Sequence, residues 1–383
     1  MKKSYFILIS ALILVLMNQN FLYSENSDWA RLSLDKEARS IIIESELKCV
    51  LEVKQGGKKV FSQCVTKITD EVFLTNNVKK GEFRVSLYPV SYKKGDHFGL
   101  QGTGLGEFLD PQGITTDITG KIIVVDSGND RIQVLNSSLE SLFEFGGFNW
   151  QEEDTSFNYI SNSSQGSFNV PIDVATTIKD IFVTDRENNR IKKFDLSGNF
   201  LLSFGGQGKN MGQVSYPMGI ASDLMGNIYV ADSRNDRVQK FDINGNFILE
   251  VGGFGYAQGR MNSPTDIIVD SDEKIHVLDS GNHRIQIFDK FGHFKEEFPL
   301  EKKGRFNSIA LIFDEILILS NTKKGVIYFY SKKGEILDSI GDLEYPTGVT
   351  ADRDGVIYVV ESGSSSIRII KNSSKQSDWI MEL

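Results

Sequence analysis

A twelve-residue segment of this 383-residue chain, VVDSGNDRIQVL at 124–135, returns in altered form as VTDRENNRIKKF (183–194), VADSRNDRVQKF (230–241) and VLDSGNHRIQIF (277–288). Each copy holds an Asp, an Asn three places on and an Arg two beyond that, then alternating apolar residues. Aligned on Asp126, Asp185, Asp232 and Asp279, the copies lie 59, 47 and 47 residues apart, and degenerate copies follow at Leu319-Ser320-Asn321 and at Glu361. A period of this length is the mark of a supersecondary unit repeated so that neighbours bury one another. One unit reads as four runs, here called A to D: 218–223 (MGIASD), 227–232 (NIYVAD), 237–242 (RVQKFD) and 247–252 (FILEVG). Gly, Asn and Asp separate them, as turns require. The B runs (IIVVD, IFVTD, IYVAD, IHVLD, ILILS, IYVVE) are apolar almost throughout, which implies burial on both faces. The pattern predicts an all-β fold, a six-bladed β-propeller of four-stranded blades with strand A at the channel and strand D outermost.

The run F-G-x-x-G-x-x-x-G-x-x-x-x-P occurs at 98–111 and 204–217, and in weaker form at 251–264; G-I-A-x-D and then V-x-D-S-x-N-x-R-[IV]-Q follow it. With these motifs, residues 98–371 resemble the NHL-repeat family of six-bladed β-propellers, of an exported bacterial type. The resemblance speaks for fold and little for function, because family members include enzymes, interaction platforms and RNA binders. The fifth copy lacks the Pro, Asp and Arg, and the sixth has Ser366 where the Arg belongs. Two segments could supply the outer strand that closes the ring, 378–383 from the C-terminus or 91–98 from the N-terminal side; the second is favoured because a glycine loop follows it, as one follows the other D strands.

Three segments are expected: a signal peptide (1–24), a small β-sandwich-like module (25–93) and the propeller (94–383). Lys2 and Lys3, the apolar run 6–17 and the polar break 18–20 fit a secretory signal, hence a periplasmic, envelope-associated or extracellular protein. If Gly56-Gly57 form a two-residue hairpin turn, Cys49 and Cys64 stand directly opposite and can form a disulfide. A formal net charge of −9, with no dense Lys/Arg stripe, argues against a nucleic-acid partner.

The repeated Asp126/Arg131, Asp185/Arg190, Asp232/Arg237 and Asp279/Arg284 sets read as structural turns, because a fold that repeats a blade repeats its corner while catalysis seldom needs one acid–base set four times. No nucleophile elbow or Cys/His pair appears. Two channel-facing carboxylates, Asp173 and Asp266, are the candidate cation ligands (Ca²⁺ or another divalent ion), which would suit a metal-dependent hydrolase or lyase. Otherwise no cofactor is expected. The insertion 148–170 carries Trp150, Phe157, Tyr159 and Phe168, and Phe254, Tyr256 and Arg260 lie in another loop of the same rim. This composition suits a binding surface for a protein or cell-envelope polymer. The leading expectation is therefore a non-enzymatic binding or scaffold propeller.

Overall fold

The computed structural model describes residues 30–35, 40–45, 48–67, 69–74, 78–79, 81–147, 166–373 and 377–382. They fall into two compact units, 1–91 with 374–383, and 92–373.

In the first unit, Ala30–Asp35, Ser40–Ser45 and Thr69–Phe73 form one antiparallel sheet, and Ser377–Glu382, Glu82–Pro89, Cys49–Gln55 and Lys58–Val65 form a second. Leu32, Ile41, Ile43 and Val72 of the first share one core with Leu51, Val53, Val85 and Leu87 of the second, which is the packing of a sandwich. Gly56 and Gly57 make the expected tight turn with φ of 59° and 77°, and Gln55 pairs with Lys58. The expected disulfide is not formed. A bulge at Val53/Lys54 takes up Val60, so Cys49 pairs with Val65 and Val50 with Cys64. One residue of slip sends neighbouring side chains to opposite faces, so the two cysteines do not face each other.

In the second unit the described residues form six four-stranded antiparallel sheets, five of them in simple A-B-C-D order. The sixth is made of Pro346–Ala351, Ile357–Glu361, Ser366–Asn372 and, outermost, Tyr92–Phe98. The favoured closure is therefore the one observed. The C-terminal strand, expected within the propeller, instead pairs with Glu82–Pro89 in the first unit. With Tyr92–Phe98 paired to Ser366–Asn372, the outer place of the sixth sheet is filled from the N-terminal side. Each inner strand touches the next, and Ile114–Thr116 touches Pro346–Ala351, which closes the ring. Every residue of the B strands Ile122–Asp126, Asp180–Asp185, Ile228–Asp232, Ile275–Asp279, Ile316–Asn321 and Ile357–Glu361 is buried, as burial on both faces demands. The clusters between blades supply the adhesion: Phe241, fully buried, packs its ring 4.9 Å from Phe204 of the preceding blade. Burying such a side chain is worth roughly 2–3 kcal/mol. The closing seam is of the same kind, with Tyr358 and Val360 set against Ile122 and Val124.

Candidate functional site

The repeated motif lies at the turn from strand B to strand C and gathers the loop that enters the same blade. In blade one, Asp126 Oδ1 accepts the Leu109 N–H at 2.7 Å, and Oδ2 accepts Arg131 Nε at 2.7 Å, Asn129 Nδ2 at 2.9 Å and Gln133 Nε2 at 3.1 Å. Arg131 then donates to the carbonyls of Thr103, Gly104 and Glu107 and to Glu144. Blades three and four repeat the corner, with Arg237 held by Asp232, Glu250, Asn210 O and Gln213 O, and Arg284 by Asp279, Glu297, Tyr256 O, Ala257 O and Arg260 O. In blade two Arg190 pairs with Asp185 at 2.9 Å. A guanidinium whose donors fasten a loop in this way is a brace. Lys192 stands where the other three corners carry Gln; its ammonium is wholly buried, donates to Ser167 O and lies over the Phe168 ring. Burial pulls its pKa down to about 8, against the raising influence of Asp185.

Two arrangements escape a reading of the sequence. The left-handed turn residues Asp130, Asn189 and Asp236 reach across to the next blade, where they accept the N–H of Val170, Tyr216 and Ser263 at 2.6, 2.9 and 2.8 Å. In blade six, Glu361 replaces the Asp and Arg368 the missing Arg, and the pair closes at 2.9 Å. The longer acid and an arginine two places further along the strand rebuild the corner.

The channel cavity, about 270 Å³, is lined by the inner strands. At one level the ring reads Gly113, Asp173, Gly219, Asp266, Ser308, Gly348. Asp173 Oδ2 accepts the Ile220 N–H at 2.9 Å, Asp266 Oδ2 the Ile309 N–H at 2.8 Å and Ser308 Oγ the Val349 N–H at 3.3 Å, each from the following blade. A Cβ on Gly219 would stand 2.3 Å from Asp266 Oδ1, so the glycine makes room for the next blade's carboxylate. Burial and the charge of Asp266 push the Asp173 carboxyl well above the usual range; burial pushes Asp266 up to about 7, opposed by the N–H groups of Ile309 and Ile267. These residues do not fit a calcium ion, which asks for roughly six to eight oxygens. Both oxygens of Asp266 already hold backbone N–H groups, and among the described residues no cluster of three or more His, Cys, Asp or Glu could hold a metal. The carboxylates act as straps between blades.

Trp150, Phe157 and Tyr159, with the expected signal at 1–24, lie outside the described residues. Phe168, expected on the binding surface, is buried at 3 % exposure against Phe194, with ring centroids 5.4 Å apart, because its apolar ring completes the seam between blades one and two. Phe254 and Tyr256 stand out from the rim at 63 % and 72 % exposure, edge to face at 5.9 Å. Arg260 donates to Gly252 O beside them. Among the described residues no helix is long and apolar enough to cross a membrane.

Comparison with known proteins agrees with this geometry. The NHL repeat family matches residues 215–241 and 261–288. NHL repeat-containing protein 2 of Bos taurus is 33 % identical over 101 residues, and that of Homo sapiens 32 %; the match covers 26 % of this chain and only 13 % of theirs. A streptogramin B lyase structure superposes with a TM-score of 0.52 at 17 % identity, covering 73 % of this chain and 97 % of its own. A protein of unknown function from Bacteroides thetaiotaomicron gives 0.55 at 12 % identity, covering 92 % and 99 %. At such identities the structural likeness shows the fold alone. The corners described above, the family match and these neighbours agree: the chain carries NHL repeats on a β-propeller.

Proposed function

We propose that this chain is an exported, non-enzymatic binding propeller that engages a protein or a cell-envelope polymer with the rim formed by the blade-entry loops and the B–C turns. The observation that carries the reading is a division of labour on that rim. Arg131, Arg237 and Arg284 are spent on bracing their own loops, while Phe254 and Tyr256 are held out to solvent by the loop that Arg284 braces. Exposed aromatic side chains on a rigid loop supply contact area at low entropic cost. The insertion at 148–170 belongs to the same rim in sequence order. The competing reading, a hydrolase or lyase acting in the channel, would have to use Asp173 and Asp266, whose oxygens already hold backbone N–H groups.

Capture from the native envelope tests the proposal. Deleting 151–165, which spares the buried Phe168, and separately replacing Phe254 and Tyr256 by Ala, should each leave the unfolding midpoint nearly unchanged and reduce recovery of the wild-type partner. Undiminished capture by both variants overturns this use of the rim. A stoichiometric ion in the purified protein, lost in Asp173→Ala, would transfer support to the channel reading.

A further inference from the structure

Repetition gives each junction between blades its own internal standard, and the junction between blades five and six departs from it. At the three junctions described above, a left-handed turn residue (Asp130, Asn189, Asp236; φ 51°, 50°, 54°) places a side-chain oxygen on the N–H of the residue before the next blade's proline. That acceptor-seeking residue is itself left-handed each time (Val170, Tyr216, Ser263). At blade six it is Tyr345, with a φ of 52°, so its N–H is presented as in the others. The turn opposite is in the same register too, since Gly325 O accepts Leu343 N at 3.0 Å as Asn189 O accepts Gly206 N at 2.9 Å and Asp236 O accepts Gly253 N at 2.9 Å. But Gly325 has no side chain to give. Among the described residues the Tyr345 N–H meets no acceptor. Here a groove of about 360 Å³ opens, lined by Thr322, Lys323, Lys324, Leu343, Glu344 and Tyr345 among others, the exposed Glu344 carboxylate standing on its wall beside the two lysines. Lys323 is exposed and makes no ion pair among the described residues, while Lys324 is matched by Glu301 at 2.6 Å. The Tyr345 ring is 64 % exposed at the wall. At the junction between blades six and one the corresponding N–H belongs to Asp110 and likewise meets no acceptor among the described residues, but no cavity with a lysine beside it is found there among the described residues.

We infer that this groove is a receptor for a carboxylate: an acidic side chain of a partner polypeptide enters between blades five and six, accepts the Tyr345 N–H where a sister blade would supply its own turn oxygen, and is neutralised by Lys323. A carboxylate that met both a backbone N–H and an ammonium would make charge-assisted hydrogen bonds, which are stronger than neutral ones. The inference rests on the reading of this rim as the partner-facing one and specifies the chemistry of what meets it.

The test is amide-resolved NMR of the full-length protein, titrated at constant ionic strength with N-acetylaspartate N-methylamide, with the asparagine analogue, and with sodium chloride as the simple-anion control. The Tyr345 and Gly325 amide signals should move saturably with the aspartate probe and stay in place with the other two. Lys323→Glu, a change on an exposed turn, should weaken the response several-fold. Gly325→Asp should abolish it by filling the groove from within. Because a Cβ at 325 would meet Leu343 O at 2.4 Å, that variant is scored only if its amide spectrum remains folded, and Lys323→Glu decides otherwise. An unmoved Tyr345 amide, an equal response to chloride or to the asparagine probe, or a wild-type response in Lys323→Glu overturns the inference. The titration needs no partner, so its failure removes the groove and leaves the wider rim to be judged by capture alone.

Discussion

Replacing Arg237 by Ala puts the central physical claim at risk. Its guanidinium lies 2.8 Å from Asp232 and 2.8 Å from Glu250, and it also holds the Asn210 and Gln213 carbonyls at 3.0 and 2.9 Å. Asp232 is completely buried, and even with its arginine present, burial keeps its carboxyl above the ordinary carboxylate range. Removing the arginine strands that charge, and breaking a buried pair by deleting one partner costs about 3–5 kcal/mol. The exposed Glu250 regains water and adds little. A loss of about 4 kcal/mol should lower the melting temperature by roughly 7 °C, because the unfolding entropy of a unit as long as 92–373 is larger than that of a 150–250-residue domain. Urea unfolding followed by far-ultraviolet circular dichroism measures the loss directly. Adding Asp232→Asn to the same chain removes the stranded charge and should recover about half of it. Arg190, 26 % exposed against 10 % for Arg237, should cost less when replaced. A loss below about 1 kcal/mol for Arg237→Ala, or no recovery in the double variant, would refute the view of these corners as braces.

Three further outcomes follow from the same geometry. Lys192→Gln installs the residue that blades one, three and four use, and should stabilise the protein by about 2 kcal/mol near neutral pH. Because the folded-state pKa of about 8 lies below the free value, this lysine's contribution is full above about pH 10.5 and lost as pH falls through 8, so the gain should vanish in strong alkali. Asp266 has the opposite sign: with a folded pKa of about 7, its contribution is complete below about pH 4 and lost as pH rises through 7. Asp266→Ser, copying Ser308, should therefore flatten the decline of stability between those limits, as measured by melting temperature across pH. Gly219→Ala would drive a methyl to 2.3 Å from Asp266 Oδ1 and 2.5 Å from its Cα; it should destabilise by more than about 3 kcal/mol, and denaturant midpoints would show it.

The ring of four-stranded blades was open to reading because each blade solves the same burial problem with the same residues. Apolar B strands, glycine loops and the Asp-Asn-Arg corner announce themselves by recurrence, and even the closing strand could be favoured from the loop that follows it. What could not be read depends on single residues acting across distance. Val60 in a bulge turns Cys49 away from Cys64, although the turn between them was foreseen. Phe168 looks like a surface aromatic from its polar neighbours, yet the seam between blades one and two takes it. Arg368 compensates for Ser366 only because the side chain two places along the strand is long enough to reach Glu361. The reach of Asp130, Asn189 and Asp236 to the following blade has no signature beyond a polar residue in a turn.

Pseudo-symmetry changes what counts as a signal. In a protein without repeats, an exposed lysine beside a glycine turn is unremarked surface. Here three sister junctions state what the Tyr345 N–H is built to receive, so Gly325 is a departure from a known rule. The same logic sorts the other irregularities by consequence. Glu361 with Arg368 restores the corner it alters, so it is neutral substitution within the scaffold. Lys192 burdens its corner with a buried charge, and it does so beside Ser167 and Phe168, where the 148–170 insertion rejoins the blades. Asn321 drops the negative charge that no arginine could balance, since Val326 occupies the arginine's place in that blade. Blade five has thus given up both the ion pair and the turn oxygen, and its rim is the part of the ring least committed to holding itself together. A rigid ring can yield one corner to a partner only because five others, braced or rebuilt, do not depend on it.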